Sequence, residues 1–169
     1  MQDRNLSDTA TDNDATALSG RMTETGHELR ARVYYADTDF SGAVYHARYL
    51  EFLERGRSDF LRLVGVHHTD LQAGQAGEPL YWVVRRMEID FRAAARIDDV
   101  LTISTRVAET GKARIRMAQE IRRGDALLIS AGVEAALING EGRPRRFPRE
   151  WAELFAAPGA NAAGTGEMS

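Results

Sequence analysis

One long amphipathic segment governs what this chain can fold into. Tyr45, Tyr49, Phe52, Gly56, Phe60 and Leu63 recur at spacings of three and four, with Leu50, Leu53, Leu61 and Val64 as a neighbouring stripe. The pattern predicts a helix over 45–64 with one broad apolar face. Gly65 stops it, and a Gly/Gln-rich loop runs on to Pro79. Ahead of the helix, Leu29–Tyr35 reads as a short strand. Behind it come four β-type runs, Leu80–Phe91, Val100–Val107, Ala113–Arg123 and Ala126–Ile138, the last two joined by the hairpin signal Gly124-Asp125. One strand, one long helix and four consecutive strands is an α+β order, and only that helix is available to cover the sheet. A short helix over Arg149–Phe155 is expected to fold Trp151, Leu154 and Phe155 back onto the core.

The flanks are of another character. Residues 1–28 are rich in Asp, Thr, Ser and Ala, without aromatics or periodicity, and 156–169 are similar, so both are expected to be disordered tails around one domain at 29–155. No apolar run approaches the roughly 20 residues of a membrane span and no basic-then-apolar leader is visible, so a soluble, cytoplasmic protein is expected. The chain has no cysteine, which excludes disulfides, thiol nucleophiles and cysteine-held zinc. The net charge of −3 is uneven, because the first 28 residues carry six acidic and two basic side chains. Of the 22 basic residues, all but Lys112 are arginine, the side chain whose planar fork suits phosphates. They form no block with interleaved aromatics, so no nucleic-acid partner is expected.

Chemistry concentrates in Tyr34–Leu50, where Asp37 and Asp39 stand just before the helix start. Asp and Thr are common turn and capping residues, and that reading stands beside a catalytic one. Asp37-x-Asp39-x-Ser41-Gly42 imitates the first half of a calcium loop, but its twelfth residue is Arg48 where a bidentate Glu is needed. His27, His46, His67 and His68 show no zinc-binding spacing, with His67-His68 read as an exposed helix-to-loop cap, and no Gly-x-Ser-x-Gly elbow occurs. No metal site is therefore expected.

Residues 32–62, RVYYADTDFSGAVYHARYLEFLERGRSDFLR, resemble the signature of the 4-hydroxybenzoyl-CoA thioesterase family, and more narrowly its Tol-Pal-associated acyl-CoA thioesterases. The likeness continues through Val83–Met87 and Phe91–Asp99. It implies a hotdog fold, in which a five- to six-stranded antiparallel sheet wraps one long helix, and subunits that pair as a homodimer or homotetramer with active sites at the interface. It implies hydrolysis of an acyl-CoA, short-chain or aromatic, with Asp39 as nucleophile or general base and the backbone N–H near His46 polarising the thioester carbonyl. That division suits the free N–H groups and positive dipole end of a helix. No cofactor is implied, since coenzyme A is part of the substrate.

Within the same reading Gly42 and Tyr45 border the substrate, although Tyr45 and Tyr49 also lie on the core stripe. Asp37 holds the turn, and Glu54 is expected in a salt bridge to an arginine. Arg85, Arg86, Arg145 and Arg146, with Arg143 beside them, are candidates by type for the coenzyme A phosphates. Phe40-Ser41 stands where the family has two small residues, and Gly56 where alanine is common. Two other functions share the fold: an acyl-thioester dehydratase or hydratase, which His46 would serve, and a non-catalytic partner of acyl-CoA or acyl carrier protein.

Overall fold

The periodicities resolve into a helix laid across a sheet. A computed structural model describes residues 18–156, which form, in order, β1 (Arg21–Thr23), β2 (Gly26–Arg32), a 3-10 turn (Tyr35–Asp37), α1 (His46–Leu63), α2 (His68–Gln72), β3 (Leu80–Phe91), β4 (Val100–Thr110), β5 (Arg114–Arg123), β6 (Ala126–Asn139) and α3 (Trp151–Phe155). The six strands make one antiparallel sheet in the order β1-β2-β4-β5-β6-β3, so β3 is an edge despite preceding β4 in sequence. This is the hotdog arrangement: α1 packs on β2, β4 and β5 and covers the sheet centre.

Alternation explains the sheet. In β4 and β5 every second residue is buried, Leu101, Ile103, Thr105 and Val107 opposite Ile115, Met117, Gln119 and Ile121. From α1 they meet Tyr49, Phe52, Leu53, Gly56, Phe60 and Leu61. Each fully buried aliphatic or aromatic side chain stabilises by about 1.5–3 kcal/mol. One charged residue joins them. Arg57, 7% exposed, donates Nη1 to Gln119 Oε1 (2.8 Å) and Nη2 to Glu54 Oε2 (2.5 Å), and Gln119 Nε2 donates to Leu53 O and Thr105 Oγ1. These bonds compensate the desolvation of the guanidinium and lock the helix to two strands.

Several boundaries differ from the sequence reading. The apolar stripe is narrower than predicted, because Tyr45, Leu50 and Leu63 remain 46%, 41% and 39% exposed. The folded unit begins earlier than residue 29: β1 and the first residues of β2 fall inside the expected N-terminal tail. They are held by side chains from afar, since Asp59 Oδ2 on α1 accepts the Gly20 N–H (2.7 Å) and lies 2.7 Å from Nε2 of buried His27. The predicted strand Leu29–Tyr35 stops at Arg32, because the Tyr34 N–H is taken by Asp37 Oδ2 and the chain enters the 3-10 turn. The loop after Gly65 contains α2, anchored by buried Leu71. The rest of both expected tails lies outside the described residues. Among the described residues no helix is long and apolar enough to cross a membrane.

Candidate active site

The segment between β2 and α1 is a small hairpin whose geometry follows from its residues. Thr38 and Val44 bridge, the Asp39 N–H donates to Ala43 O (2.9 Å), and the Gly42 N–H donates back to Asp39 O (3.0 Å). This is a three-residue loop, in which a turn through Phe40 and Ser41 is closed by a residue at positive φ. Gly42, at φ 77°, supplies it without the Cβ penalty that other residues meet there. The loop is docked by the Ala43–Arg96 bridge and by the Val44 N–H on Ala95 O (2.9 Å). Tyr49, buried on α1, accepts the Ala95 N–H through its hydroxyl (2.8 Å), so the β3–β4 connection, the hairpin and the helix are one unit.

Asp39 is the first residue of that turn. Its Oδ1 accepts the Ser41 N–H (2.8 Å) and the Ser41 hydroxyl (2.5 Å), while Oδ2 takes no donor among the described residues. The Ser41 hydroxyl is the main cause holding the Asp39 carboxyl below the ordinary carboxylate range, followed by the Ser41 N–H, with His46 adding a smaller electrostatic pull. Asp39 is therefore ionised at neutral pH, and His46 lies within electrostatic reach. Asp37 is committed to structure: Oδ2 accepts the Tyr34 N–H (2.8 Å) and its carbonyl accepts the Tyr45 N–H (2.9 Å).

Tyr45 caps α1 in an extended conformation with no side-chain cap bond, and the Arg48 N–H turns back onto Tyr45 O. Among the described residues neither the His46 nor the Ala47 N–H has an acceptor, as expected at the first turn of a helix. An 18-residue helix thus presents free donors and its positive dipole end beside an anionic carboxylate. The Tyr45 ring leans on the His46 imidazole (centroids 4.5 Å apart) rather than entering the core. Tyr34, Tyr35 and Phe40 are exposed around the same loop, Phe40 completely.

The arginines fall elsewhere in this chain. Arg85 and Arg86 sit at the β3 bulge; Arg85 pairs with Glu134 (2.7 Å) and Arg86 with Glu88. Arg145 follows β6 and pairs with Glu78 (2.5 Å), just ahead of β3, while Arg143 pairs with Glu141; Arg146 is exposed and forms no ion pair among the described residues. The Asp39 loop docks at the far end of β3, and a 12-residue strand at about 3.3 Å per residue puts Arg145 roughly 35 Å away along it. The structure thus brings Asp39, Gly42, Tyr45 and His46 together, leaves Arg145 beyond the opposite end of β3, and puts Arg85 and Arg86 midway along that strand, each in an ion pair. Sequence reading gave Ser41 no role beside Asp39; the signal available was the Asp-x-Ser pattern, which favours side-chain capping of a turn.

A groove of about 550 Å³ runs between α1 and the edge strand, walled by Leu50, Glu54, Arg57, Val84 and Met87. Glu54 there is held by Arg57 and by the Ser58 hydroxyl (2.8 Å), the salt bridge expected for it. Among the described residues no cluster of His, Asp or Glu has the arrangement to hold a metal ion.

The family model of the thioesterase superfamily matches residues 41–130. An acyl-CoA thioesterase YbgC of Haemophilus influenzae is 39% identical over 135 residues, covering 79% of this chain and 97% of its own. The acyl-CoA thioester hydrolase YbgC of Escherichia coli is 37% identical over 120 residues, 70% of this chain and 87% of its own. A crystal structure of a probable thioesterase from Bartonella henselae, 58% identical, superposes with a TM-score of 0.71 over 72% of this chain and 98% of that one. A 1,4-dihydroxy-2-naphthoyl-CoA thioesterase from Synechocystis shares the fold at 22% identity, with a TM-score of 0.68 over 77% of this chain and 95% of that one.

Proposed function

The chain belongs to the thioesterase superfamily and is an acyl-CoA thioesterase, and we propose that Asp39 is the carboxylate that carries its hydrolysis. The observation that supports this most is the pairing of an ionised carboxylate, one oxygen tied and the other open, with the unclaimed N–H groups at the start of α1. The His46 N–H binds the thioester oxygen and stabilises the negative charge that develops there. Along the nucleophilic route Asp39 Oδ2 attacks the carbonyl carbon, the C–S bond breaks, and coenzyme A leaves as thiolate; water then hydrolyses the mixed anhydride. Along the general-base route Asp39 takes a proton from water as it attacks and returns it to the departing sulfur. Label found in Asp39 after a single turnover in H₂¹⁸O identifies the nucleophilic route, because attack of water on the aspartyl carbonyl of the anhydride leaves it there, and trapping of the acyl-enzyme with hydroxylamine detects the anhydride when water attacks its acyl carbonyl instead.

The acyl group is short-chain or aromatic, a reading supported by the ring-rich border of Tyr35, Phe40 and Tyr45. The active unit is a homodimer formed through β3. Its 12-residue edge is unpaired among the described residues and carries exposed Val84, in the groove with Leu50 of α1, and exposed Phe91, against Tyr49, a combination that invites pairing with a second copy. Across such an interface arginines remote from Asp39 in one chain become available to the phosphates of a coenzyme A bound at the other. The chemistry requires neither metal nor redox cofactor.

The test is thiol release from acetyl through palmitoyl, benzoyl and hydroxybenzoyl-CoA, with Asp39→Asn beside the wild type. The chain's lack of cysteine leaves no background for a thiol reagent. Asp39→Asn should lower turnover by roughly 10²–10⁴-fold with the fold intact. Wild-type turnover in that variant would remove Asp39 from the mechanism.

A further inference from the structure

We propose that Ser41 is a positioning residue for Asp39, a two-pronged clamp that ties up Oδ1 and leaves Oδ2 as the single oxygen free to react. The proposal rests on the assignment of Asp39 above and deepens it. Both prongs come from one residue, with the N–H at 2.8 Å and the hydroxyl at 2.5 Å from the same oxygen. Ser41 cannot swing away, because the bonds Asp39 N–H to Ala43 O and Gly42 N–H to Asp39 O close the turn on either side of it. The Ala43 N–H makes a long contact to Ser41 Oγ (3.4 Å), using the hydroxyl as acceptor and leaving its proton for Asp39.

A carboxylate free to rotate would present either oxygen in many orientations, and fixing it removes that search before the reaction begins. Donors to the charged form also hold the proton off, so the clamp keeps Asp39 competent in mildly acidic solution. The other charged or titratable groups facing this loop and the turn before it include Asp37, His46 at the start of α1, Arg48, whose Nη2 donates to Ala36 O (3.2 Å), and Arg96 of the β3–β4 connection, whose Nη1 lies 3.8 Å from where a Cβ on Gly42 would stand. None of them donates a hydrogen bond to the Asp39 carboxylate among the described residues.

The experiment measures kcat and KM across pH for the full chain, wild type against Ser41→Ala, Ser41→Thr and Asp39→Asn. In the wild type the acid limb of kcat/KM should lie below the ordinary carboxylate pKa of about 3.9. Ser41→Ala keeps the backbone prong and loses the hydroxyl. Its acid limb should move up, its kcat should fall on the order of tenfold, and its KM should change by less than about twofold. Ser41→Thr keeps the hydroxyl and should restore both values. Brønsted behaviour alone would make the more basic Asp39 of Ser41→Ala a faster catalyst, so an unchanged or raised kcat overturns the clamp whether or not the acid limb moves, and so does an acid limb that stays in place. If Asp39→Asn is inactive and Ser41→Ala behaves as wild type, the clamp fails and Asp39 stands; if Asp39→Asn is fully active, both fail. Should the alanine variant not fold, Ser41→Gly is read by the same criteria.

Discussion

Replacing Gly56 by alanine should destabilise the protein, although alanine is the better helix former. Position 56 is buried in the middle of α1, facing β4. A Cβ there would lie 2.7 Å from Ile103 Cγ2, 3.1 Å from Thr105 Oγ1 and 3.4 Å from Gln119 Nε2. Carbon atoms pack at about 3.5–4.0 Å, so the first contact demands a retreat of roughly 0.8 Å or more. Ile103 is fully buried and cannot yield by swinging into solvent, and the other two neighbours belong to the network that holds Arg57. Overpacking of this kind costs about 1–3 kcal/mol. The gain in helix propensity offsets about 1 kcal/mol of it. The balance is a loss of about 1 kcal/mol, which corresponds to a fall of about 4 °C in Tm. Denaturant and thermal unfolding should be compared at one protein concentration, because self-association shifts apparent stability. Ile103→Leu removes the offending methyl while conserving volume, and in that background Gly56→Ala should cost little or become stabilising. A Gly56→Ala variant as stable as the wild type, or an equal cost in both backgrounds, would refute the steric argument.

Gly42→Ala places a Cβ at φ 77° and should destabilise by about 1–2 kcal/mol while lowering kcat more than KM; intact kinetics would mean that the turn does not aim Asp39. Asp59→Ala leaves the Gly20 N–H and the buried His27 Nε2 without their acceptor, at a cost of about 1–3 kcal/mol, and the amides of Arg21–Thr23 should then exchange rapidly; retained protection would show that β1 does not depend on Asp59. Arg146→Ser should raise KM for acyl-CoA and leave the acyl-pantetheine KM unchanged, whereas equal effects on both would remove Arg146 from nucleotide binding. Prolonged dialysis against a chelator should leave thiol release unaltered, and a loss reversed by added metal would contradict a metal-free mechanism.

How much of this was legible in the sequence depends on how far apart the interacting residues lie. The helix was predicted over 45–64 and spans His46–Leu63, and the run Leu80–Phe91 coincides with β3, because a period of 3.6 or 2 over ten or more residues is a local signal. The candidate-site hairpin was equally local: Asp39, Ser41 and Gly42 satisfy one another within four residues. The opposite case is β1. Three residues carry no period, and they are held by pairing with β2 and by a carboxylate that takes the N–H of neighbouring Gly20 from 39 positions further on; the reading of residues 1–28 as a tail failed at this join. His27 was read as part of that tail for the same reason, since its partner Asp59 sits 32 residues away on the helix. The arginines are a different case. Residue type suited Arg85, Arg86, Arg145 and Arg146 to phosphates, but their location follows from the sheet order, in which β3 returns to the outer edge beside β6. That order sets Arg145 at the far end of β3 from the Asp39 loop and leaves the β3 edge open among the described residues. The proposed dimer rests on that same topological fact, since an open β3 edge is the surface through which a second copy would bring its arginines toward Asp39.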